Sequence, residues 1–112
     1  MPEASWHQFD GGATVGQKGS EDGAISRDEE HSFGARITLE RDTPVAPFAI
    51  ICGIYGWMVH TRFFGLEGEA SLQYGLMKDA LSALLEGAAS GNDVEGRRAF
   101  SDGVAAFVEA YP

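Results

Sequence analysis

Two hydrophobic periodicities, in a fixed order, constrain this chain more than any other feature. Through residues 24–64 the apolar side chains recur largely at every second position, and from residue 66 onward they recur at intervals of three and four. Strands therefore come first and helices second. That order does not fit a parallel sheet, which needs a crossover helix between successive strands. It predicts an α+β fold: a small antiparallel β-meander of three to five strands followed by two C-terminal helices packed on one face. A chain of 112 residues has room for one such domain. Residues 24–112 would form it, preceded by a Gly-rich lead-in over 1–23 that holds five of the 15 glycines. Trp6 and Phe9 can pin the lead-in to the body through a short strand over 5–9, with a mobile loop over 11–23.

Within the strand region, Ala35, Ile37 and Leu39 alternate with Arg36, Thr38 and Glu40. The first set is expected on the core and the second in water. Pro44 and Pro47 end that ladder, because neither has an N–H to donate. Two β-branched and aromatic runs follow, over 48–54 and 57–64. A two-residue turn at Tyr55-Gly56 would set Cys52 opposite Val59 and Ile50 opposite Thr61. A four-residue loop over 53–56 would leave that parity unchanged. One face of the pair is then nearly dry. The other shows Ile51, Met58 and Phe64 beside His60 and Arg62. Upstream, a tight hairpin around Phe33-Gly34 would set Asp28 and Glu30 opposite Leu39 and Ile37, on the core face. Two unpaired buried carboxylates carry a penalty of several kcal/mol. A shifted register, with Ile25 opposite Leu39, avoids it and turns residues 28–34 into a protruding loop.

In the helical region, Ala70, Tyr74, Met77, Leu81, Leu84 and Ala88 make one stripe, broadened by Leu72, Leu76 and Leu85. Gly75 falls inside it, where it would allow close packing on the sheet. Gly87 or Gly91 is a candidate C-cap, and Asn92 or Asp93 a candidate N-cap for the next helix. Phe100, Val104, Phe107 and Tyr111 form the second stripe, with a possible break near Ser101-Asp102.

The charge bears on function by exclusion. Eight basic residues face 17 acidic ones, for a net charge of −9. The basic residues are scattered, with no run longer than Arg97-Arg98. A phosphate backbone is held by several Lys or Arg contacts, so nucleic acid is not an expected partner. No stretch approaches the roughly 20 apolar residues that span a bilayer, so no membrane is expected either. Met1-Pro2-Glu3 lacks the basic start of a signal peptide, and a lone cysteine suits a reducing compartment. The expected setting is cytoplasmic.

Four groups could carry chemistry. Asp28, Glu29, Glu30 and His31 are metal-ligating types, yet four adjacent residues cannot all turn onto one ion, and no second cluster completes a shell. The expectation is no metal. Gly11-Gly12-Ala13-Thr14-Val15-Gly16-Gln17-Lys18 departs from the phosphate-binding loop, since Gln17 stands where lysine is needed. No cofactor is expected. Cys52 would need His60 within reach to act as a nucleophile, and the two-residue turn sends them to opposite faces. Tyr55, Trp57, Phe63 and Phe64 complete the set as an aromatic group suited to an interface.

No catalytic constellation survives these tests. The expected function is a small soluble interaction or regulatory module, homodimeric or bound to another protein, through Ile51, Met58, His60, Arg62, Phe64, Tyr55 and Trp57. The alternative is a ligand-binding protein or enzyme with a polar pocket near His60, Arg62 and the 28–34 loop.

Overall fold

The computed structural model describes residues 5–88 and 94–112. Five strands run in sequence order: β1 (Trp6–Gln8), β2 (Ala24–His31), β3 (Ala35–Arg41), β4 (Phe48–Ile54) and β5 (Met58–Phe64). Each pairs antiparallel with its neighbour in a single sheet of order β1-β2-β3-β4-β5. Two helices follow, α1 (Glu67–Ala88) and α2 (Val94–Ala110). The expected α+β meander with two C-terminal helices is the architecture found.

The registers differ from those expected, and one cause explains both differences. β2 and β3 are joined by three residues, Ser32-Phe33-Gly34, and β4 and β5 by three, Tyr55-Gly56-Trp57. Each loop holds a glycine at positive φ, Gly34 at 105° and Gly56 at 81°. An odd loop reverses the parity that a two- or four-residue loop would give. In the first hairpin Asp28 pairs with Thr38 and Glu30 with Arg36, while Glu29 faces Ile37. The protruding loop over 28–34 is thus not formed, because β2 continues to His31. A bulge at Ser26, between Ile25 and Arg27, absorbs the remaining mismatch.

In the second hairpin Cys52 pairs with His60, Ile50 with Arg62 and Ile54 with Met58. The face that packs under the helices carries Ala35, Ile37 and Leu39 of β3, Ile50, Cys52 and Ile54 of β4, and Phe64 of β5. Across from them α1 supplies Ala70, Tyr74, Met77, Leu81 and Leu85, and α2 supplies Phe100, Val104 and Phe107. Leu72 and Leu76 lie outside the stripe and face solvent. Gly75 is exposed, with open space where a Cβ would sit, so close packing on the sheet does not account for it. Gly103 is the close approach instead: a Cβ there would stand 2.5 Å from Leu84 Cδ1. α2 continues through Ser101-Asp102 without a break, and α1 continues through Gly87. Gly91, Asn92 and Asp93 lie outside the described residues.

The face opposite the helices corrects a second expectation. Thr38 and Glu40 are buried, and so is Ile25. Residues 9–23 fold back over this end of the sheet. Gly16 N–H donates to Ile25 O at 2.8 Å and Ile25 N–H to Gln17 O at 2.9 Å. The Glu40 carboxylate accepts from Gly23 N–H at 3.0 Å and Glu21 N–H at 3.3 Å. A Cβ on Gly19 would fall 2.3 Å from that carboxylate, so glycine is required there by space.

Candidate functional site

The two faces of the sheet separate the sequence-predicted site residues. Met58, His60, Arg62 and Phe64 point toward the helices, not onto an open face with Ile51 as expected. Phe64 is buried there. A His60 ring nitrogen lies 2.6 Å from Tyr111 O. Arg62 donates from Nε to Pro112 O at 2.9 Å and from Nη1 to Gln73 Oε1 at 2.8 Å. Its guanidinium lies over the rings of Phe64 and Tyr111. These two basic side chains fasten the end of α2 to the sheet.

Cys52 and His60 share a face, which reverses the parity expected of them. The nucleophile still lacks what it needs. Cys52 is buried, and burial pushes its thiol up to about 12. The His60 ring is engaged with a backbone carbonyl. A reactive thiolate requires the opposite conditions, a lowered pKa and an open approach.

Residues 28–31 alternate between faces, so they do not converge. Asp28 points away from the helices into a closed polar knot. Arg36 donates to it from Nε at 2.9 Å and Nη2 at 2.6 Å, Thr14 at 2.7 Å and Thr38 at 3.1 Å. Phe9 stacks on the Arg36 guanidinium at 3.6 Å. Burial works to raise the Asp28 pKa, but the Arg36 guanidinium and the two hydroxyls outweigh it and hold the carboxyl below its usual range. Glu30, on the same side, accepts from Tyr55 OH at 2.5 Å.

Glu29 and His31 point toward α1. Glu29 accepts from Lys78 Nζ at 2.7 Å and Tyr74 OH at 2.8 Å. Burial again opposes ionisation, and these partners again win, so its pKa is lowered. His31 packs between Trp6 and Phe33, and its Nδ1 accepts from Phe33 N–H at 3.0 Å. Nε2 is buried without a hydrogen-bond partner among the described residues. Burial lowers the His31 pKa, disfavouring the charged ring. Among the described residues His60 and Arg62, on β5, are not brought together with Glu29 and His31, which lie three strands away on β2.

What the structure does bring together is a groove of about 870 Å³ on the face away from the helices. Thr38, Arg36 and Glu40 line its polar side, Ile51 and Val59 its apolar side, and Lys18 one end. Tyr55 and Trp57 border it from the β4–β5 loop. Trp57 is half-exposed and stands edge-on to Phe100, 4.6 Å between centroids. Thr14, Thr38, Glu40 and Val59 were not read as site residues from the sequence. The paired glycines at 19 and 23, spaced to leave room for a buried carboxylate, are the signal that points to Glu40.

Beside the groove runs β5. Val59 is 80% exposed and Phe63 41% exposed, both on the open face. Among the described residues no backbone group pairs with the outer edge of this strand. No acid–base pair or activated nucleophile lies in the groove or along the strand. Comparison with known proteins returns no matching family model, no matching curated protein and no matching solved structure.

Proposed function

We propose that this chain is a non-enzymatic interaction module that associates with protein, its own copy first, through β5 and the open face of the sheet. The observation that carries this reading is the difference between the two sides of the sheet. On one side β2 is covered by β1 and by residues 16–18, and β1 is only three residues long. On the other, β5 offers a seven-residue outer edge with no strand beside it. Of the devices by which natural sheets shield such an edge, β5 has no proline, lysine or bulge, and Arg62 is its one charged side chain. No described helix is long and apolar enough to cross a membrane, and a lone buried thiol suits a reducing compartment such as the cytoplasm.

Light scattering on purified protein, from micromolar to near-millimolar concentration, tests the reading. The expected result is a mass that rises toward twice that of the monomer. A single monomeric species throughout overturns it.

The groove favours a second reading, a binding site for a small amphipathic molecule. Ligand-detected NMR against a fragment set is then expected to give binders that the Ile51→Trp variant, whose ring fills the groove, no longer holds. Fragments that bind both proteins equally, or none at all, exclude it.

A further inference from the structure

We infer that a second copy of this chain pairs antiparallel with β5, strand to strand, with Thr61 on the two-fold axis. The inference rests on the association reading above and adds to it the surface, direction and register. Three observations converge on it.

The first is charge. The chain carries −9 overall, yet between Asp42 and Glu67 the only charged residue is Arg62. Two strongly acidic molecules repel unless they meet where neither is acidic. β5 lies in the middle of that neutral stretch. A basic partner would seek carboxylates, and this strand presents none.

The second is self-complementarity. A two-fold interface applies the same strand to itself, so residue i meets the residue related by the axis. Centring on Thr61 sets Val59 against Phe63 of the second copy on the open face, and Thr61 against Thr61. On the helix side it sets His60 against Arg62 and Met58 against Phe64. The two most exposed apolar side chains of β5 thereby cover one another, and threonine pairs and aromatic–β-branched pairs are favourable across strands. The only cationic side chain, Arg62, does not meet its own copy. Centring on Arg62 sets the two guanidiniums against each other and Val59 against Gly65, while centring on His60 pairs Val59 with Thr61 and carries Phe63 past the end of the strand, opposite Trp57.

The third is access. Tyr111 and Pro112 approach β5 through the His60 and Arg62 side chains only, with no backbone hydrogen bond to the strand. The outer N–H and C=O groups stay available, and they supply most of the recognition when a strand is added to a sheet.

The test uses charge reversal at the axis in the full chain. Thr61→Lys and Thr61→Glu each place like charges opposite one another, and each is expected to weaken self-association by about tenfold or more. An equimolar mixture is expected to restore it, because lysine then meets glutamate. Far-ultraviolet circular dichroism confirms that each variant is folded. If either is not, Thr61→Cys replaces it: a short bis-maleimide is expected to join two copies there, and not in Leu66→Cys, whose mates lie far apart in this register. The native Cys52 is buried and does not react. A wild-type monomer at all concentrations defeats the association reading itself. A wild-type dimer that both charge variants leave intact, or that links equally well at Leu66→Cys, defeats the pairing while leaving association standing.

Discussion

Asp28→Ala is expected to lower stability by about 3 kcal/mol, a large share of what a domain this size has. Its carboxylate is fully buried and accepts from Arg36, Thr14 and Thr38. Alanine leaves three donors around a void. The loss sits at the low end for a broken buried pair because the Arg36 side chain keeps 35% of its surface in water. Asp28→Asn keeps the shape and is expected to lose less. The pH dependence separates charge from shape. Asp28 has a folded pKa below its unfolded one. Its contribution is therefore complete above the unfolded value and is lost as pH falls through the folded one. Wild-type stability is expected to drop from about pH 4 downward, and Asp28→Asn is expected to flatten that drop. Glu29 titrates with the same sign and leaves a residual slope. Urea midpoints at neutral and acid pH decide the matter, and equal acid slopes for both proteins would show that the knot contributes no charge-dependent stability.

Tyr74→Ala is expected to be more damaging still, at about 4 kcal/mol. Tyr74 is the largest fully buried side chain among the described residues, in the contact between α1 and the sheet. Its hydroxyl donates to Glu29 at 2.8 Å, beside Lys78, and its ring receives the Arg27 guanidinium at 4.2 Å. Tyr74→Phe removes only the hydroxyl and is expected to lose about 1–2 kcal/mol, since Lys78 and Arg27 still satisfy Glu29. Denaturation followed by helix signal and by tryptophan fluorescence measures both. Equal losses in the two variants would place the whole contribution in the hydrogen bond and none in packing.

The layers of the fold were legible from periodicity, and the registers were not. Ala35, Ile37, Leu39, Tyr74, Met77, Leu81, Phe100, Val104 and Phe107 are core residues by spacing and by structure. Pairing parity turns on loop length, and one residue reverses every side chain beyond it. Asp28 and Glu30 cannot face Leu39 and Ile37. The remedy in the structure is a third loop residue, which delivers Asp28 to Thr38 and Glu30 to Arg36. A slipped strand was the expected remedy because it needs no partner for the carboxylates. The same extra residue in the second hairpin carried His60, Arg62, Met58 and Phe64 to the helix side. Alternation alone places Glu40 in solvent, because it cannot see residues 19–23 return to cover it.

The closed side of the sheet sets how far assembly can go. A sheet with two open edges is a divalent unit and can polymerise into a fibre. This sheet, with β1 short and residues 16–18 lying along β2, is monovalent. Once two copies have joined through β5, neither retains a comparable edge for a third. In the proposed pairing, growth would therefore terminate at the first step and give a discrete particle in place of an aggregate.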